Sequence, residues 1–348
     1  MRIAIDISSL QGKHSSGIGR YVTNLVTSLQ THQEVELIAT HRLSSVKRLR
    51  SLQRISPIRI QPAIPFTFNC DLFHGPDFKI PRTHRFKKIV TIHDMVIFQE
   101  DLSDPEFKES SIHKFDYMIE SCRPDAIITV SHFIKDQLIE HAPSYASKIS
   151  VVYHGVDHII KPKKLKSFFE FPYIVYVGTI ERRKNVIRIV QAFEKIHKQF
   201  PDLRLVLIGS KGFNANETFE RIEKSSIKEK IIYKGYVPDE DLIHTIGNAR
   251  VFIYPSIYEG FGFPVLEAMR LGVPVITSNM GVLKEVGGDG ACLVDPYNPR
   301  EIADHLSALL ENEDLRQSFI KKGYEQTNTF TWEKCAKETI LAYQKAIR

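Results

Sequence analysis

Two glycines and two glutamates lie close together in the C-terminal half of the chain, in the run SIYEGFGFPVLEAM at positions 256–269. Gly260 and Gly262 allow the backbone to approach a ligand closely, because neither residue carries a side chain. The apolar residues after them predict a helix, and the free N–H groups of Val265 and Leu266 at its start would point at an anion. The chemistry predicted at this turn is the binding of a phosphate group.

The glutamates Glu259 and Glu267 stand on either side of this predicted phosphate site. Glu259 precedes the glycine turn, and Glu267 lies within the helix that Pro264 is suited to begin. Ionised carboxylates accept hydrogen bonds from hydroxyl groups, which a sugar or a ribose carries. Two glutamates at this spacing also occur by chance, with both side chains solvated. A binding site is favoured over this alternative by the glycines, the aromatic residues and Pro264 in the same run.

These residues match the E-x7-E motif of retaining nucleotide-sugar glycosyltransferases, and the chain resembles glycosyltransferase family 4 over essentially its whole length. The resemblance implies the GT-B fold, an α/β architecture of two Rossmann-like parallel-sheet domains facing a central cleft. It also implies that Glu259 contacts the donor sugar, that Glu267 contacts the nucleotide ribose, and that the helix N-terminus between them holds the diphosphate. The resemblance therefore assigns donor binding to Glu267 and to five further residues, namely Gly260, Phe261, Gly262, Val265 and Leu266.

A second candidate segment follows a predicted strand that ends at Gly178, and it contains three adjacent cations, Arg182, Arg183 and Lys184. Loops at the carboxyl ends of parallel strands are where α/β sheets bind ligands. Cations in such a loop stabilise the charge that develops on a diphosphate leaving group. The alternative is a solvated basic turn, which is the simpler interpretation for Arg182.

The family usually has Gly-Arg at this loop, with a Lys five residues after the Arg, and both cations bind the donor diphosphate. Here Gly178 is followed by Thr179 in place of the Arg, whereas Lys184 keeps the Lys. We expect Arg183 to substitute for the missing Arg. We also expect Asn185 to cap the helix that follows.

The N-terminal half offers further candidates. The turn at Gly17 and Gly19 resembles the first loop of the family, whose backbone approaches donor phosphate, and Arg20 is a candidate contact beside it. A third glycine is missing, so the turn is no dinucleotide fingerprint, and a helix start that needs glycine is an equal alternative. His93 and Asp94 follow a predicted strand. The family places a His near the donor sugar and acceptor, which favours His93, although a capping or core role is the alternative.

In the family, the nucleotide base is framed by two loops of the C-terminal domain, often through backbone groups. The matching segments here are Ile208–Lys211 and Gly235–Leu242, which makes Val237 a candidate contact. Backbone contacts hide the identity of the base from the sequence.

Apolar strands alternate with helical stretches along the chain, which indicates parallel sheets covered by helices. The charged segment Lys161–Lys166 interrupts this pattern and is interpreted as a linker. Together with the resemblance, this predicts a Rossmann-like acceptor-binding domain over 1–165 and a nucleotide-sugar donor-binding domain over 166–330. The last helix, 331–348, is expected to cross back to the N-terminal domain.

The composition is that of a soluble globular chain, with 348 residues, 43% hydrophobic and 25% charged. No apolar run approaches the roughly 20 residues of a membrane-spanning helix, and the start resembles a strand without a secretory segment, so we expect a cytoplasmic protein.

The four cysteines are scattered, which indicates free thiols. His154 and His158 lie four apart without a third ligand, so no metal site is predicted.

The net charge of +6 is concentrated in the N-terminal half. Such a basic patch suits an anionic lipid surface at the inner membrane face or an acidic acceptor, and a solvated surface is an equal alternative. Nucleic acid is not an expected partner, because stacking aromatics are missing from this segment. The patch consists of Arg42, Lys47, Arg48, Arg50, Arg54, Arg59, Lys79, Arg82, Arg85, Lys87 and Lys88.

The resemblance therefore implies a retaining glycosyltransferase that uses a nucleotide-diphospho-sugar and no cofactor or metal. Segments Gly17–Tyr21 and Ile92–Met95 look most like bacterial mannosyl- or rhamnosyltransferases of polysaccharide assembly. We expect GDP-mannose as the donor and a glycan or polyprenyl-linked acceptor. No carboxylate is evidently placed as a covalent nucleophile, which favours a same-face mechanism. The catalytic roles fall to His93, Glu259, Arg183 and Lys184.

Two other classes of function remain as alternatives on the sequence. A nucleotide-sugar epimerase or a glycosyl phosphorylase shares the same architecture, and a non-catalytic protein that binds sugar nucleotides would keep the same pocket.

Overall fold

The chain divides into two compact units in a computed structural model that describes residues 1–11, 17–41, 59–62 and 69–348. Unit 1 comprises Met1–Gln99, Pro105–His158 and Phe330–Arg348. Unit 2 comprises Glu100–Asp104 and Ile159–Thr329.

Unit 1 contains a parallel sheet of seven strands in the order β3-β2-β1-β4-β5-β6-β7. The strands are β1 (Arg2–Asp6), β2 (Glu36–His41), β3 (Arg59–Pro62), β4 (Leu72–Gly75), β5 (Lys87–Ile92), β6 (Ala126–Thr129) and β7 (Ile149–Val151). Strands such as β4 and β6 are buried along their whole length, which explains their continuous apolar sequences. The sequence missed β3, because this short edge strand has a mixed sequence with a terminal proline.

The first three helices of unit 1 are α1 (Gly17–Leu29), α2 (Pro105–Asp116) and α3 (His132–His141). α2 is followed directly by a six-residue π-helical segment, Tyr117–Cys122. Ser131 is the N-cap of α3, and its hydroxyl oxygen accepts a hydrogen bond from the Ile134 amide at 3.1 Å.

Unit 2 contains a parallel sheet of six strands in the order β10-β9-β8-β11-β12-β13. The strands are β8 (Tyr173–Val177), β9 (Arg204–Ile208), β10 (Ile231–Gly235), β11 (Val251–Tyr254), β12 (Val275–Ser278) and β13 (Cys292–Val294). The helices are α4 (Val186–Ile196), α5 (Ala215–Glu223), α6 (Asp239–Gly247), α7 (Phe263–Arg270), α8 (Gly281–Gly287), α9 (Pro299–Glu311) and α10 (Glu313–Thr327).

The first six strands of unit 1 and the six strands of unit 2 have the same doubly wound order, which reverses between the first and fourth strands of each unit. This reversal lies between β1 and β4 in unit 1 and between β8 and β11 in unit 2. Open parallel sheets bind ligands at the carboxyl ends of the strands beside such a reversal. The topology therefore indicates one candidate ligand site in each unit.

The last helix, α11 (Trp332–Ile347), groups with unit 1. Its backbone is joined to the earlier chain where the Trp332 amide donates to the Asp157 carboxylate at 2.9 Å. The Tyr343 hydroxyl lies 2.7 Å from His74 Nδ1, inside the unit. Ala336, Ile340 and Tyr343 of this helix are buried, whereas its Leu341 is 62% exposed.

Much of the predicted basic patch lies outside the described residues, namely Arg42, Lys47, Arg48, Arg50 and Arg54. Three of its described members have nearby partners. Lys79 pairs with Asp77 at 2.7 Å, Lys87 pairs with Asp125 at 3.3 Å, and the buried Lys88 donates to a backbone carbonyl. The two ion pairs reduce the charge of this part of the surface, and burial removes Lys88 from it.

All four cysteines are buried free thiols. None of the helices in the described ranges combines the length and the apolar character that a membrane span needs.

Candidate functional site

A buried ion pair between Lys184 and Glu259 forms the centre of the candidate site in unit 2. Lys184 ends a short 3-10 turn after β8, and Glu259 follows β11, so the pair lies at the strand-order reversal. The Lys184 Nζ lies 2.6 Å from each Glu259 carboxylate oxygen and 2.8 Å from the Tyr254 hydroxyl. A lysine ammonium carries three protons, so these contacts occupy its whole donor capacity.

Arg183 extends this pair into a larger charged cluster. Its guanidinium donates to Glu259 Oε2 at 3.2 Å and forms an ion pair with Glu181 Oε1 at 2.7 Å. We call Glu181, Arg183, Lys184 and Glu259 the charged cluster. It contains two cations and two carboxylates, so its formal charge sums to zero. Arg182, by contrast, is exposed, in keeping with the simpler interpretation of that residue.

The protonation states of the charged cluster follow from burial and pairing. Burial opposes ionisation of Glu259, but the charges of Lys184 and Arg183 outweigh it and lower the pKa of the carboxyl to about 2. Burial lowers the pKa of Lys184, an effect that Glu259 opposes and Arg183 reinforces. Glu259 is therefore an ionised acceptor at neutral pH, although it lies in a protein interior.

Asn185 holds the loops around the charged cluster together. The sequence predicted that it caps α4, and it does occupy the N-cap position, but its side chain accepts no capping bond. Its amide nitrogen instead donates to the Pro255 carbonyl at 2.9 Å and to the Pro296 carbonyl at 2.7 Å. The loops that follow β8, β11 and β13 are thus joined by one side chain.

Sequence reasoning also missed Ser256 and Tyr254. The Ser256 hydroxyl donates to the Arg183 carbonyl at 2.9 Å, which fixes the two loops of the charged cluster to each other. Tyr254 is the last residue of β11, and its ring stacks on Tyr176 with centroids 5.6 Å apart. The only signal for Tyr254 was a polar aromatic residue at the end of an otherwise apolar strand.

The glycine turn leads into α7 as the sequence predicted, but one of its amides is engaged. Gly262 has a φ of 96°, and a Cβ there would lie 2.8 Å from Leu283, so only glycine fits. The prediction of a free Val265 amide was wrong, because this N–H donates to the Gly262 carbonyl at 3.1 Å and so tightens the first turn. Glu267 is buried in the following turn of α7.

The other predicted donor contacts lie at several loops. Gly178 follows β8, Gly260 and Phe261 lie in the turn before α7, and Leu266 is buried within α7. Val237 is half-buried between β10 and α6.

Gly17 and Gly19 lie in the first turn of α1, in unit 1. The loop residues before Gly17 lie outside the described residues. Among the residues that the structure describes, none apart from its neighbours in α1 lies within 4 Å of a Cβ placed at Gly17.

His93 lies at the carboxyl end of β5 and lines a cavity of about 770 Å3 in unit 1. Its Nε2 donates to the Pro76 carbonyl at 2.8 Å. Burial lowers the pKa of His93, although this bond and the charges of Asp77 and Asp94 oppose the shift. His93 is therefore neutral at pH 7, which leaves Nδ1 able to accept a hydrogen bond.

Behind this cavity, unit 1 contains a chain of buried polar side chains. The Thr91 hydroxyl lies 2.8 Å from His74 Nε2 and 3.0 Å from the Tyr21 hydroxyl. Burial lowers the pKa of His74 to about 3, and repulsion from His93, once that ring is protonated in acid, adds to the shift. Tyr343 completes this chain, so it joins β4, β5, α1 and α11 through uncharged groups.

His154 and His158 have structural contacts rather than a shared ligand geometry. His154 stacks against Trp332, with centroids 6.0 Å apart, and His158 accepts a hydrogen bond from the Trp332 ring at 3.0 Å. Within the described ranges, no group of three His, Cys, Asp or Glu side chains is arranged to hold a metal ion.

Comparisons with known proteins agree with this geometry. A family model described as Glycosyl transferases group 1 matches residues 157–326, and one described as Glycosyltransferase Family 4 matches residues 15–159. The chain is 30% identical to the O-antigen chain mannosyltransferase B of Escherichia coli, over 94% of this chain and 96% of that protein. It is 24% identical to the serotype-specific mannosyltransferase WbdA of Escherichia coli, over 87% of this chain and 39% of that protein.

Two solved structures show the same fold at low identity. A glycosyltransferase from Rickettsia africae has a TM-score of 0.73 and 18% identity, covering 100% of this chain and 98% of that one. Anabaena HepE in complex with UDP and glucose has a TM-score of 0.75 and 14% identity, covering 98% of each chain. The predicted GT-B fold is confirmed, and the chain is a glycosyltransferase that belongs to glycosyltransferase family 4.

Proposed function

We propose that the protein is a retaining hexosyltransferase that transfers mannose from a nucleotide-diphospho-sugar, with GDP-mannose as the first candidate donor. The observation that carries this proposal is the charged cluster at the strand-order reversal of unit 2, next to the glycine turn that begins α7. Its acceptors suit sugar hydroxyls and its cations suit a diphosphate. The names of the Escherichia coli relatives support mannose as the sugar.

Donor binding requires the charged cluster to change partners. Lys184 donates to both oxygens of Glu259 and to Tyr254. A donor phosphate that contacts Lys184 must replace one of these acceptors, and a released oxygen of Glu259 then becomes available to a sugar hydroxyl. This one exchange of partners would thus provide Lys184 for the phosphate and Glu259 for the sugar.

The remaining donor contacts follow from the loops around the charged cluster. Glu267 is proposed to accept hydrogen bonds from the ribose, and Val237 to lie beside the base. Backbone groups of Gly17, Gly19, Gly178, Gly260, Phe261, Gly262 and Leu266 are proposed to approach the diphosphate. We propose no cofactor and no metal for this reaction.

The chemical step is a substitution at the anomeric carbon. The bond between the sugar and the phosphate oxygen breaks, its electron pair leaves with the diphosphate, and the acceptor oxygen bonds to the same face of the sugar. The proton of the acceptor hydroxyl passes to a donor phosphate oxygen. Arg183 and Lys184 stabilise the charge of the leaving diphosphate, which is where most of the rate acceleration is expected. His93 is proposed to accept a hydrogen bond from a hydroxyl of the donor sugar or the acceptor.

The acceptor is proposed to be a glycan or a polyprenyl-linked glycan of cell-surface polysaccharide synthesis. The relatives named for O-antigen chains and serotype support this class. The proposed location is the cytoplasm, with contact to anionic lipid at the inner membrane face.

The proposal is tested with radiolabelled GDP-mannose and other nucleotide sugars, with and without a glycan acceptor, followed by product analysis. We expect transfer with retention from one donor, and at least a tenfold loss of turnover in Lys184→Met and in Glu259→Gln, because each removes an electrostatic contact of the transition state. The matched control is Arg182→Met, which removes the exposed cation two positions earlier.

Three results would contradict the proposal. They are full transfer by Lys184→Met, conversion of the donor to an epimer without an acceptor, and nucleotide binding without any transfer or hydrolysis. The second would indicate an epimerase, and the third a non-catalytic binding protein.

A further inference from the structure

One contact of Lys184 lies outside the ion pair at the centre of the charged cluster. Its Nζ donates to the Tyr254 hydroxyl at 2.8 Å, besides the two oxygens of Glu259. The same Nζ lies 5.3 Å from the centroid of the Tyr254 ring. These two distances place the ammonium beyond the hydroxyl oxygen rather than above the face of the ring. The hydroxyl is therefore the group that makes the contact.

The Tyr254 hydroxyl also contacts the other member of the ion pair. Burial, together with the charge of Glu259, raises the pKa of Tyr254 well above its usual value, so the hydroxyl keeps its proton. The side chains of Tyr254 and Glu259 are hydrogen-bonded to each other. A phenol hydroxyl can accept one hydrogen bond while it donates another. Its oxygen therefore accepts from Lys184, and its proton is donated to the carboxylate.

The surroundings of Tyr254 fix the position of this hydroxyl. Tyr254 is the last residue of β11 and is buried, and its carbonyl accepts a hydrogen bond from the Thr277 hydroxyl at 2.8 Å. Its ring stacks on Tyr176 and on Phe252, with centroids 5.6 and 6.0 Å away and planes 13° and 19° from parallel. A ring that is packed in this way cannot swing without disturbing the core. Glu259, by contrast, lies in the loop after β11.

This difference in support decides which acceptor Lys184 exchanges for a donor phosphate. Its ammonium has three protons and all are engaged, so the phosphate must replace one of the three oxygens around it. Glu259 can release one oxygen and keep the ion pair through the other. The Tyr254 hydroxyl has no such second atom, and its ring is held in the core. Tyr254 is therefore the acceptor that stays in place.

We infer that Tyr254 is a positioning residue for the transfer reaction, an inference that rests on the proposed function. Its hydroxyl holds the Lys184 Nζ while one oxygen of Glu259 is exchanged for a donor phosphate oxygen. Because this contact persists through the exchange, the ammonium keeps its direction as charge develops on the leaving diphosphate. Tyr254 acts through Lys184 and does not itself have to touch the donor.

The inference is tested with a matched pair of variants, Tyr254→Phe and Tyr173→Phe. The first removes the hydroxyl that contacts Lys184 and keeps the stacked ring. The second removes another buried hydroxyl of unit 2, which donates to the Thr245 carbonyl at 2.7 Å. Tyr173 begins β8, whereas Lys184 follows the other end of that strand. The control thus loses a similar hydrogen bond away from the charged cluster.

The first measurement is the pH dependence of transfer from radiolabelled GDP-mannose. Tyr254→Phe should lower kcat by about fivefold or more, with less than about a threefold change in the KM for the donor, because the diphosphate keeps its other contacts. The basic limb of kcat/KM should move to lower pH by about half a pH unit or more, because the charged form of Lys184 loses a hydrogen bond. Tyr173→Phe should leave kcat, KM and the basic limb unchanged.

The direction of this pH effect follows from the groups around Lys184. Burial lowers the pKa of Lys184, the charges of Glu259 and Glu181 oppose this shift, and the charge of Arg183 reinforces it. All of these groups are the same in Tyr254→Phe. A further fall of the pKa in that variant would therefore report the loss of the hydroxyl.

A second measurement without a donor separates this inference from the proposed function. NMR of the full-length protein, labelled with 15N at the lysine Nζ atoms, follows the titration of Lys184, whose signal is assigned from Lys184→Met and Lys184→Arg. The midpoint should move to lower pH in Tyr254→Phe and stay in place in Tyr173→Phe. If no nucleotide sugar supports transfer, the proposed function fails, and this titration still shows whether Tyr254 holds Lys184.

Three results would overturn the inference. The first is an unchanged Lys184 titration in Tyr254→Phe, which would show that the hydroxyl does not hold the ammonium. The second is an altered titration with wild-type kcat, since Tyr254 would then contact the lysine without positioning it for transfer. The third is an equal loss of kcat in both variants, which would assign the effect to the loss of any buried hydroxyl in unit 2.

Discussion

The two units share the order of their first six strands, yet the buried groups near their strand-order reversals differ in charge. Unit 2 retains buried charges at its strand-order reversal, where Lys184 and Glu259 are ionised and paired at 2.6 Å. Unit 1 buries His74 as an uncharged group between Tyr343 and Thr91, and burial lowers the pKa of His93 and His154 as well. The fold sets where a polar group lies, and the neighbouring side chains set its charge.

This difference matches what each unit is proposed to bind. A diphosphate needs full charges that can be redirected toward it, and these are costly to bury unless they are paired. A glycan is uncharged, and hydrogen-bonding groups of fixed geometry are enough to recognise it. The comparison can therefore be tested through stability as well as through activity.

The largest expected effect is the loss of one member of the buried pair. Lys184→Met should lower the free energy of unfolding of unit 2 by about 3 to 5 kcal/mol, because Glu259 keeps its charge in the interior with only Arg183 beside it. Hydrogen exchange read by mass spectrometry, peptide by peptide, measures this for each unit.

A matched double variant separates charge from packing. Lys184→Met combined with Glu259→Gln removes both charges, so it should lose less stability than Lys184→Met alone, while turnover stays at least tenfold below that of the wild type. Arg182→Met should change stability by less than about 0.5 kcal/mol. If the double variant is no more stable than the single one, pairing is not what keeps these charges in unit 2.

The second expected effect is that mild acid destabilises unit 1 before unit 2. The pKa of His74 is lowered from 6.5 to about 3, so below pH 6.5 the unfolded chain binds a proton that the folded chain does not. The stability of unit 1 should therefore fall as the pH drops, by about 2 kcal/mol between pH 6.5 and 5 from His74 alone. His93 and His154 act in the same direction.

The charged cluster responds to acid in a lower range of pH. The pKa of Glu259 is lowered from 4.5 to about 2, so its contribution is lost only as the pH falls below about 4.5. Hydrogen exchange at pH 7 and pH 5, corrected for the intrinsic rate, should show loss of protection in unit 1 and little change around Glu259. Equal losses in both units would contradict the assignment of neutral histidines to unit 1.

The smallest expected effect concerns the side chain that joins the loops of unit 2. Asn185→Gly keeps the left-handed backbone, where φ is 61°, and removes both bonds to the Pro255 and Pro296 carbonyls. We expect a loss of about 1 to 2 kcal/mol in stability and a higher KM for the donor. Asn185→Ala adds backbone strain and should lose about 1 kcal/mol more. Equal stability of wild type and Asn185→Gly would show that the two bonds contribute nothing.

The predictions that succeeded from the sequence rest on local signals. Continuous apolar runs located the strands of both sheets except β3, and the glycine turn located α7. Lys184 and Glu259 were found because each lies in a short motif after a strand. Their direct contact was not predicted, since 75 residues separate them in the chain.

The features that escaped prediction depend on distant partners. Asn185 resembled a helix cap because caps are local, whereas its carbonyl partners lie 70 and 111 residues away. The amide of Val265 is engaged because the backbone turns tightly at Gly262, and the sequence alone does not specify the geometry of that turn. The cavity of unit 1 is lined by residues in or next to β1, β4, β5 and α2, so no single segment of the chain predicts it.

The grouping of α11 with unit 1 has a consequence for synthesis of the protein on the ribosome. Unit 2 lies almost entirely within the continuous stretch Ile159–Thr329, whereas unit 1 needs Phe330–Arg348 as well. The contact between His74 and Tyr343 spans 269 positions. Although N-terminal domains commonly fold first during translation, here the core of unit 1 stays incomplete until the last helix has left the exit tunnel. Chaperones that bind nascent chains would therefore meet an unfinished N-terminal sheet throughout the synthesis of unit 2.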